Sequence, residues 1–232
     1  MKSRRTRNRA LPERPFYREE EVERICEDAL RSVALFPDSP SPVRIDRFIE
    51  KKFVAPRYED LPEGVLGFTV FGSDGVQEVC VSRLLDDGGK VGERRVRTTL
   101  AHEGGHGLLH AHLFALQDME PLFGDVTNPA KPKVMCRDEA SVPARGPGYD
   151  GRWWEFQANT AMGCLLLPKA LVEQGLERYL VSRGLLGLKI LDPAKRNQAS
   201  RELSDIFDVN PVVAKLRLEK LFPIAGSEQL AL

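Results

Sequence analysis

All four histidines of this 232-residue chain lie in one short stretch, TTLAHEGGHGLLHAH, at positions 98–112. The stretch falls within an apolar pattern of helical period that runs from about residue 94 to residue 116. Its first two histidines, His102 and His106, are four residues apart, so on a helix they lie one turn above one another and direct their rings to a common point. The sequence therefore requires a helix here and indicates a metal site on it.

The residues between these two histidines complete the pattern H-E-x-x-H. Glu103 is turned by about 100° around the helix axis from His102, which places it beside a bound ion and not on it. There its carboxylate can take a proton from the attacking water and return it to a leaving amine. Gly104 and Gly105 each cost a helix about 1 kcal/mol relative to Ala, which predicts a close approach at this point, either of the sheet or of a substrate.

Three residues are candidates for a third metal ligand. His112 follows His102 by ten residues, as in H-E-x-x-H-x-x-G-x-x-H, but Leu109 stands where that pattern needs a glycine to turn the chain out of the helix. His110 continues the series of histidines four apart. Three such rings on a straight helix span about 12 Å, however, which is too far for one ion with bonds of about 2 Å.

The third candidate, Glu155, lies in the otherwise apolar segment WWEFQANTA. A buried carboxylate needs a cationic partner, and a Zn²⁺ ion would be one. Asn159 lies one turn further along the same helical face and could hydrogen-bond a ligand imidazole. Geometry favours this gluzincin-like arrangement and leaves the last two histidines outside the ligand set. The predicted zinc ligands are His102, His106 and Glu155, and the predicted catalytic residue is Glu103.

Composition excludes several other function classes. Lys plus Arg and Asp plus Glu number 34 each, so no overall charge draws the chain to nucleic acid. No apolar run approaches the ~20 residues that span a bilayer, and the basic N-terminus lacks the apolar segment of a signal peptide. The four cysteines are widely spaced without a CxxC pair, which predicts reduced thiols. We therefore expect a cytoplasmic protein that binds no membrane.

The remaining patterns divide the chain into three parts. Residues 1–15 are basic and predict a flexible tail. Residues 16–182 predict a domain that holds the metal motif and a β-hairpin of GFTVFG and VQEVCVSR, with a long Pro- and Gly-rich loop insert at 117–152. Residues 183–232 predict a C-terminal helical segment, similar to a helix-turn-helix and packed on the domain, whose few basic residues make DNA binding an unfavoured function. The fold class is α+β, with a small antiparallel sheet packed on helices.

Several of these motifs resemble those of the ImmA/IrrE-type metallopeptidases. The resemblance covers roughly residues 20 to 222 and is carried by TTLAHEGGHGLLH, WWEFQANTAMGCLLLP and LSDIFDVNPVVAKLRLEKL, with weaker support from LPEGVLGFTVF and VCVSRLL. It implies a minimal, gluzincin-like zincin domain in which His102, His106 and Glu155 match the zinc ligands and Glu103 the catalytic acid and base. It also implies a cytoplasmic endopeptidase that cuts a partner transcriptional repressor or another regulator. The long insert before WWEF departs from the shorter members.

The alternative is a non-catalytic regulator, associated with DNA or with another protein, on a zincin scaffold. An intact H-E-x-x-H with an acid downstream favours the enzyme, because a pure binding module has no need of Glu103. For the enzyme, we expect the substrate to lie extended along an edge strand of the hairpin sheet, as in β-strand addition.

Overall fold

The computed structural model describes residues 2–5, 13–115, 133–137, 153–183 and 188–223. The helices in these ranges are α1 (Glu19–Ser32), α2 (Ile45–Lys52), α3 (Lys90–Ala115), α4 (Trp153–Leu166), α5 (Lys169–Gly175), α6 (Arg196–Ile206) and α7 (Pro211–Leu221). The strands are β1 (Lys2–Arg5), β2 (Glu13–Phe16), β3 (Arg57–Glu59), β4 (Val65–Gly72), β5 (Gly75–Ser82), β6 (Lys133–Arg137), β7 (Leu180–Arg183) and β8 (Leu188–Leu191). The chain is thus mixed α+β, as predicted.

The main sheet has four strands in the order β3-β5-β4-β6. β4 and β5 form the predicted hairpin, and the turn uses Gly75, whose φ of +106° suits glycine alone. β6 pairs antiparallel with the other side of β4, whereas β3 pairs parallel with β5. The prediction of an antiparallel sheet is therefore wrong at β3, because the chain enters that edge from α2 and not through a hairpin turn.

β6 lies inside the segment for which the sequence predicts a long loop. Residues Lys133–Arg137 pair with β4, so this part of the predicted insert is a strand, and the rest of 117–152 lies outside the described residues. As a result the hairpin strand β4 has neighbours on both sides. An extended peptide therefore cannot add to either hairpin strand, β4 or β5, and would have to pair at an outer strand of the sheet.

Two further segments differ from their sequence patterns. The pattern in PKALVEQGLERYLVSRG predicts one helix, but α5 ends at Gly175 and a 3-10 turn leads into β7, which pairs antiparallel with β8. In the predicted basic tail, β1 pairs antiparallel with β2. Both are short two-stranded ribbons, whose pairing depends on a partner segment that a local pattern does not reveal.

α3 lies at the centre of the fold, with β4 and β5 on one side and α4 on the other. One hydrophobic core joins α1, α2 and α4 to the C-terminal helices, so α6 and α7 are packed on the domain. Its fully buried side chains include Phe48, Leu100, Leu165, Phe207 and Leu218. Across the helices of the described ranges, none combines the length and the apolar character that crossing a membrane requires.

Candidate metal centre

α3 and α4 approach each other closely beside the metal motif. A Cβ atom at Gly105 would lie 2.9 Å from the carbonyl oxygen of Ala158 and 3.0 Å from Cβ of Ala161. A Cβ atom at Gly104 would lie 2.9 Å from Cδ1 of Ile49 on α2. The two glycines thus permit close packing on helices, and the sequence-based expectation that the sheet or a substrate approaches them is wrong at these positions.

This packing brings Glu155 of α4 against two histidines of α3. The Nε2 atom of His102 lies 3.0 Å from Nε2 of His106 and 3.1 Å from Oε2 of Glu155. The same carboxylate oxygen lies 3.7 Å from Nε2 of His106. Their side chains are 5%, 0% and 20% exposed for His102, His106 and Glu155 respectively. Among the residues with described positions, these three form a group that could hold a metal ion.

The hydrogen bond of His102 shows which of its nitrogens carries the proton. Its Nδ1 lies 2.9 Å from Oδ1 of Asn159. An amide oxygen can only accept, so Nδ1 of His102 is the donor, and in the neutral ring Nε2 then presents a lone pair to the group. Asn159 therefore makes the contact that the sequence predicted, since it hydrogen-bonds the imidazole of a candidate ligand.

The donor set and its spacing fit a divalent metal ion. Lone pairs of two imidazoles and a carboxylate repel one another unless a cation lies between them. Two ligands with bonds of about 2.05 Å in a tetrahedral shell lie roughly 3.3 Å apart. The observed separations of 3.0 to 3.7 Å bracket that distance. Only a small shift of the side chains is needed to place all three around one ion.

The charges at the centre follow from burial and from the mutual contacts. Burial raises the pKa of the Glu155 carboxyl, but the contacts with His102 and His106 lower it by more, so its pKa lies well below the ordinary value. Burial lowers the pKa of His106. Both shifts favour a Glu155 carboxylate and a neutral His106, which is the protonation state that a metal ion requires of such ligands.

His110 lies outside this group, as predicted, but it is not a surface residue. It is 2% exposed, and its ring packs edge-on against Trp153 with 5.5 Å between the centroids. Its Nδ1 lies 2.9 Å from Nδ1 of His106, and its Nε2 lies 3.0 Å from Oε1 of Gln157. Burial, and then the proximity of His106, lower the pKa of His110 well below its ordinary value. His112 lies outside the group too, and burial lowers its pKa as well.

Glu103 lies on a different side of α3, against β4. Its side chain is completely buried, and the hydroxyl of Thr69 donates to its Oε2 at 2.5 Å. On the same strand, a Cβ atom at Gly67 would lie 3.3 Å from Oε1 of Glu103. The offset of about 100° between neighbouring residues on a helix explains why the histidines face α4 while Glu103 faces the sheet.

Two residues of this site were not found from the sequence, Thr69 and Gln157. No motif signals either of them, because each becomes relevant only through the packing of its element on α3. Chemically, the arrangement offers a binding site for a cation between α3 and α4. The residue that follows His102 on α3, Glu103, adds a carboxylate that is held by the hydroxyl of Thr69 on β4. No family model, no curated protein and no solved structure matches the chain.

Proposed function

We propose that this chain is a zinc-dependent endopeptidase that cleaves a protein substrate. Its metal ligands are His102, His106 and Glu155, and its catalytic acid and base is Glu103. The observation that supports this most directly is the convergence of three lone-pair atoms between α3 and α4, within 3.0 to 3.7 Å of one another. The H-E-x-x-H pattern adds a carboxylate next to the first ligand.

Zn²⁺ is the metal that this ligand set favours. Catalytic zinc sites use three protein ligands of this kind, His₂Glu among them, and keep a fourth position for water or substrate. Ca²⁺ and Mg²⁺ prefer oxygen ligands alone, which two imidazole nitrogens do not offer. The ligand chemistry therefore supports zinc over Ca²⁺ and Mg²⁺.

The chemistry of peptide hydrolysis can be assigned to the residues in this order. His102, His106 and Glu155 would hold a zinc ion, which when bound would supply Lewis-acid polarisation of a peptide carbonyl and would lower the pKa of the attacking water. Glu103 takes the proton of that water and passes it to the nitrogen of the leaving peptide. The hydroxyl of Thr69 orients the carboxylate of Glu103 by its bond to Oε2. Asn159 keeps the ring of His102 oriented through Nδ1.

The nature of the substrate is inferred from the ImmA/IrrE resemblance and from the sheet. The resemblance favours a gluzincin-like zincin fold and a transcriptional repressor or other regulator as substrate. The order of elements along the chain supports it, because the hairpin is followed by the H-E-x-x-H helix and then by the helix with Glu155. Since β4 and β5 are each paired on both sides, the substrate adds as a strand at one of the two outer strands of the sheet, β3 or β6.

Metal analysis and substrate capture test this function. The wild-type protein should hold about one zinc per chain, the number expected for one group of three ligands. Glu103→Gln should keep the metal and the fold but lose cleavage, so it can be expressed in cells to capture its substrate for mass spectrometry. Glu93→Gln, at an exposed position on the same helix, is the matched control and should cleave the captured protein like the wild type.

Two results would contradict the proposal. One is folded wild-type protein that holds no metal after zinc is added. The other is a Glu103→Gln variant that cleaves the captured protein at the wild-type rate. A captured protein that binds but is never cut by the wild type would favour the non-catalytic regulator instead.

A further inference from the structure

A series of buried hydrogen bonds leads from the metal centre to the N-terminal segment. Nδ1 of His106 lies 2.9 Å from Nδ1 of His110, whose Nε2 lies 3.0 Å from Oε1 of Gln157. Nε2 of Gln157 then donates to the backbone carbonyl of Pro15 on β2 at 2.8 Å. The three side chains are 0%, 2% and 6% exposed in that order. The proton transfer assigned to Glu103 makes no use of them.

The direction of each hydrogen bond follows from the far end of the series. The carbonyl of Pro15 can only accept, so the amide nitrogen of Gln157 donates to it and the amide oxygen faces His110. That oxygen can also only accept, so Nε2 of His110 carries a proton. Because an imidazolium buried to this degree would be costly, His110 is neutral and its Nδ1 presents a lone pair to His106.

The protonation of His106 is then determined. An ion in the proposed site would lie between the Nε2 atoms of His102 and His106 and would not separate the two Nδ1 atoms of His106 and His110. With the ion bound, Nδ1 of His106 must therefore donate to Nδ1 of His110, because two lone pairs at 2.9 Å would repel. The lone pair of His106 is therefore on Nε2, the atom that lies 3.0 Å from Nε2 of His102 and 3.7 Å from Glu155. With the other tautomer, an N–H group would point to the place where the ion binds.

We propose that His110 and Gln157 are positioning residues that hold His106 in the tautomer and ring orientation needed for metal binding. Neither touches the ion or the substrate. The inference rests on the proposed metal site but concerns only how that site is preorganised. Because Gln157 donates to the carbonyl of Pro15, the backbone of β2 also helps to hold His106 in place.

Two amide substitutions at His110 distinguish the contribution of its Nδ1 from that of its Nε2. The amide atoms of Asn are bonded to Cγ, like Nδ1 of an imidazole, so His110→Asn can offer an oxygen to the Nδ1 proton of His106. The amide atoms of Gln lie one atom further out, like Nε2, so His110→Gln can reach Gln157 but offers His106 no acceptor. If the role of His110 were merely structural, the two variants would behave alike.

The first readout is the zinc Kd of each variant, measured by competition with a chromogenic chelator, with urea unfolding of the metal-free forms as the check on folding. We expect His110→Asn to stay within about threefold of the wild-type Kd and His110→Gln to bind about 10- to 100-fold more weakly, the usual range for losing the partner of a metal ligand. Equal affinities of the two variants would overturn the inference. A wild-type protein that binds no zinc would instead contradict the metal site itself.

A second variant keeps the test decisive if His110→Gln does not fold. Gln157→Leu leaves both imidazoles in place but removes the acceptor that fixes His110. Nitrogen-15 NMR of histidine-labelled protein reports which ring nitrogens are protonated. In the zinc-loaded wild type, Nδ1 of His106 and Nε2 of His110 should be the protonated atoms. In Gln157→Leu, the signals of His110 should show a mixture of tautomers, and the variant should bind zinc more weakly than the wild type. Unchanged spectra and an unchanged Kd would overturn the inference.

Discussion

The side of α3 that faces α4 and the side that faces the sheet hold their polar groups in different ways. Toward α4, His102 and His106 meet at 3.0 Å, and each ring is held at its other nitrogen by a separate side chain. Toward the sheet, Glu103 is buried against β4, where the hydroxyl of Thr69 binds its carboxylate. The proposed ion binding and the proposed proton transfer thus depend on different neighbours, and each should be open to disruption without the other.

The largest effect should come from removing the ligand that α4 supplies. Glu155→Ala leaves two imidazole lone pairs without the carboxylate that balances the ion's charge, so zinc should no longer bind stoichiometrically and cleavage should stop. His112→Ala is the matched control, because His112 is on the same helix as the other ligands but outside the group. It should keep its zinc by elemental analysis and most of its activity. Metal lost on changing His112 and kept without Glu155 would instead indicate a metzincin-like site.

A smaller and more selective effect is expected on the sheet side. Thr69→Val keeps the shape of the side chain but removes the hydrogen bond to Glu103. A hydrogen bond to a charged group contributes about 1.5–3 kcal/mol, so kcat should fall by about 10- to 100-fold. The zinc Kd should not change. The measurements are peptide cleavage kinetics and chelator competition on the same preparations.

Thr98→Val is the control for the loss of a hydroxyl. The hydroxyl of Thr98 donates to the carbonyl of Arg94 within α3, and Thr98 is five residues before Glu103, about 140° away around the helix axis. Its kcat should therefore match the wild type. If Thr69→Val weakened zinc binding as much as it lowered kcat, the two sides of α3 would not be independent.

The α4-facing side was predictable from the sequence to the extent that local periodicity determines it. Residues four apart share a helical face, which was enough to pair His102 with His106 and Glu155 with Asn159. The cost of burying an unpaired carboxylate pointed to Glu155 as the group that meets the histidines. Gln157 was not predictable in this way. It is two residues from Glu155, about 200° around the helix axis, so periodicity places it away from the site.

The sheet-facing side depends on contacts between distant segments, and the sequence was less informative there. Thr69 meets Glu103 only because β4 packs on α3 in one register, which a single sequence does not specify. The short strand β6 has no turn signal that pairs it with β4, and β3 reaches β5 in parallel. In each case the deciding interaction links segments that are far apart in the chain, so a local sequence pattern cannot predict it.

The last prediction concerns the contact that brings α4 to the histidines. In Gly105→Ala, the new methyl group would lie 2.9 Å from the carbonyl oxygen of Ala158 and 3.0 Å from Cβ of Ala161, neither of which can rotate away. Alanine gains about 1 kcal/mol of helix propensity over glycine, but overpacking costs about 1–3 kcal/mol. We expect a net loss of about 1 kcal/mol in the free energy of unfolding by urea, the difference of these two terms. Zinc should also bind more weakly, because α4 carries Glu155.

Gly163→Ala on α4 shows what the same substitution does where there is room. A Cβ atom there would lie 3.6 Å from Cδ of Arg217, an ordinary contact. This variant should gain about 0.5–1 kcal/mol in the free energy of unfolding through helix propensity, with an unchanged zinc Kd. Because both substitutions add one methyl group to a helical glycine, propensity affects them equally and only the contact between α3 and α4 differs. Equal stabilisation of the two variants would mean that this contact is too loose to hold Glu155 against the histidines.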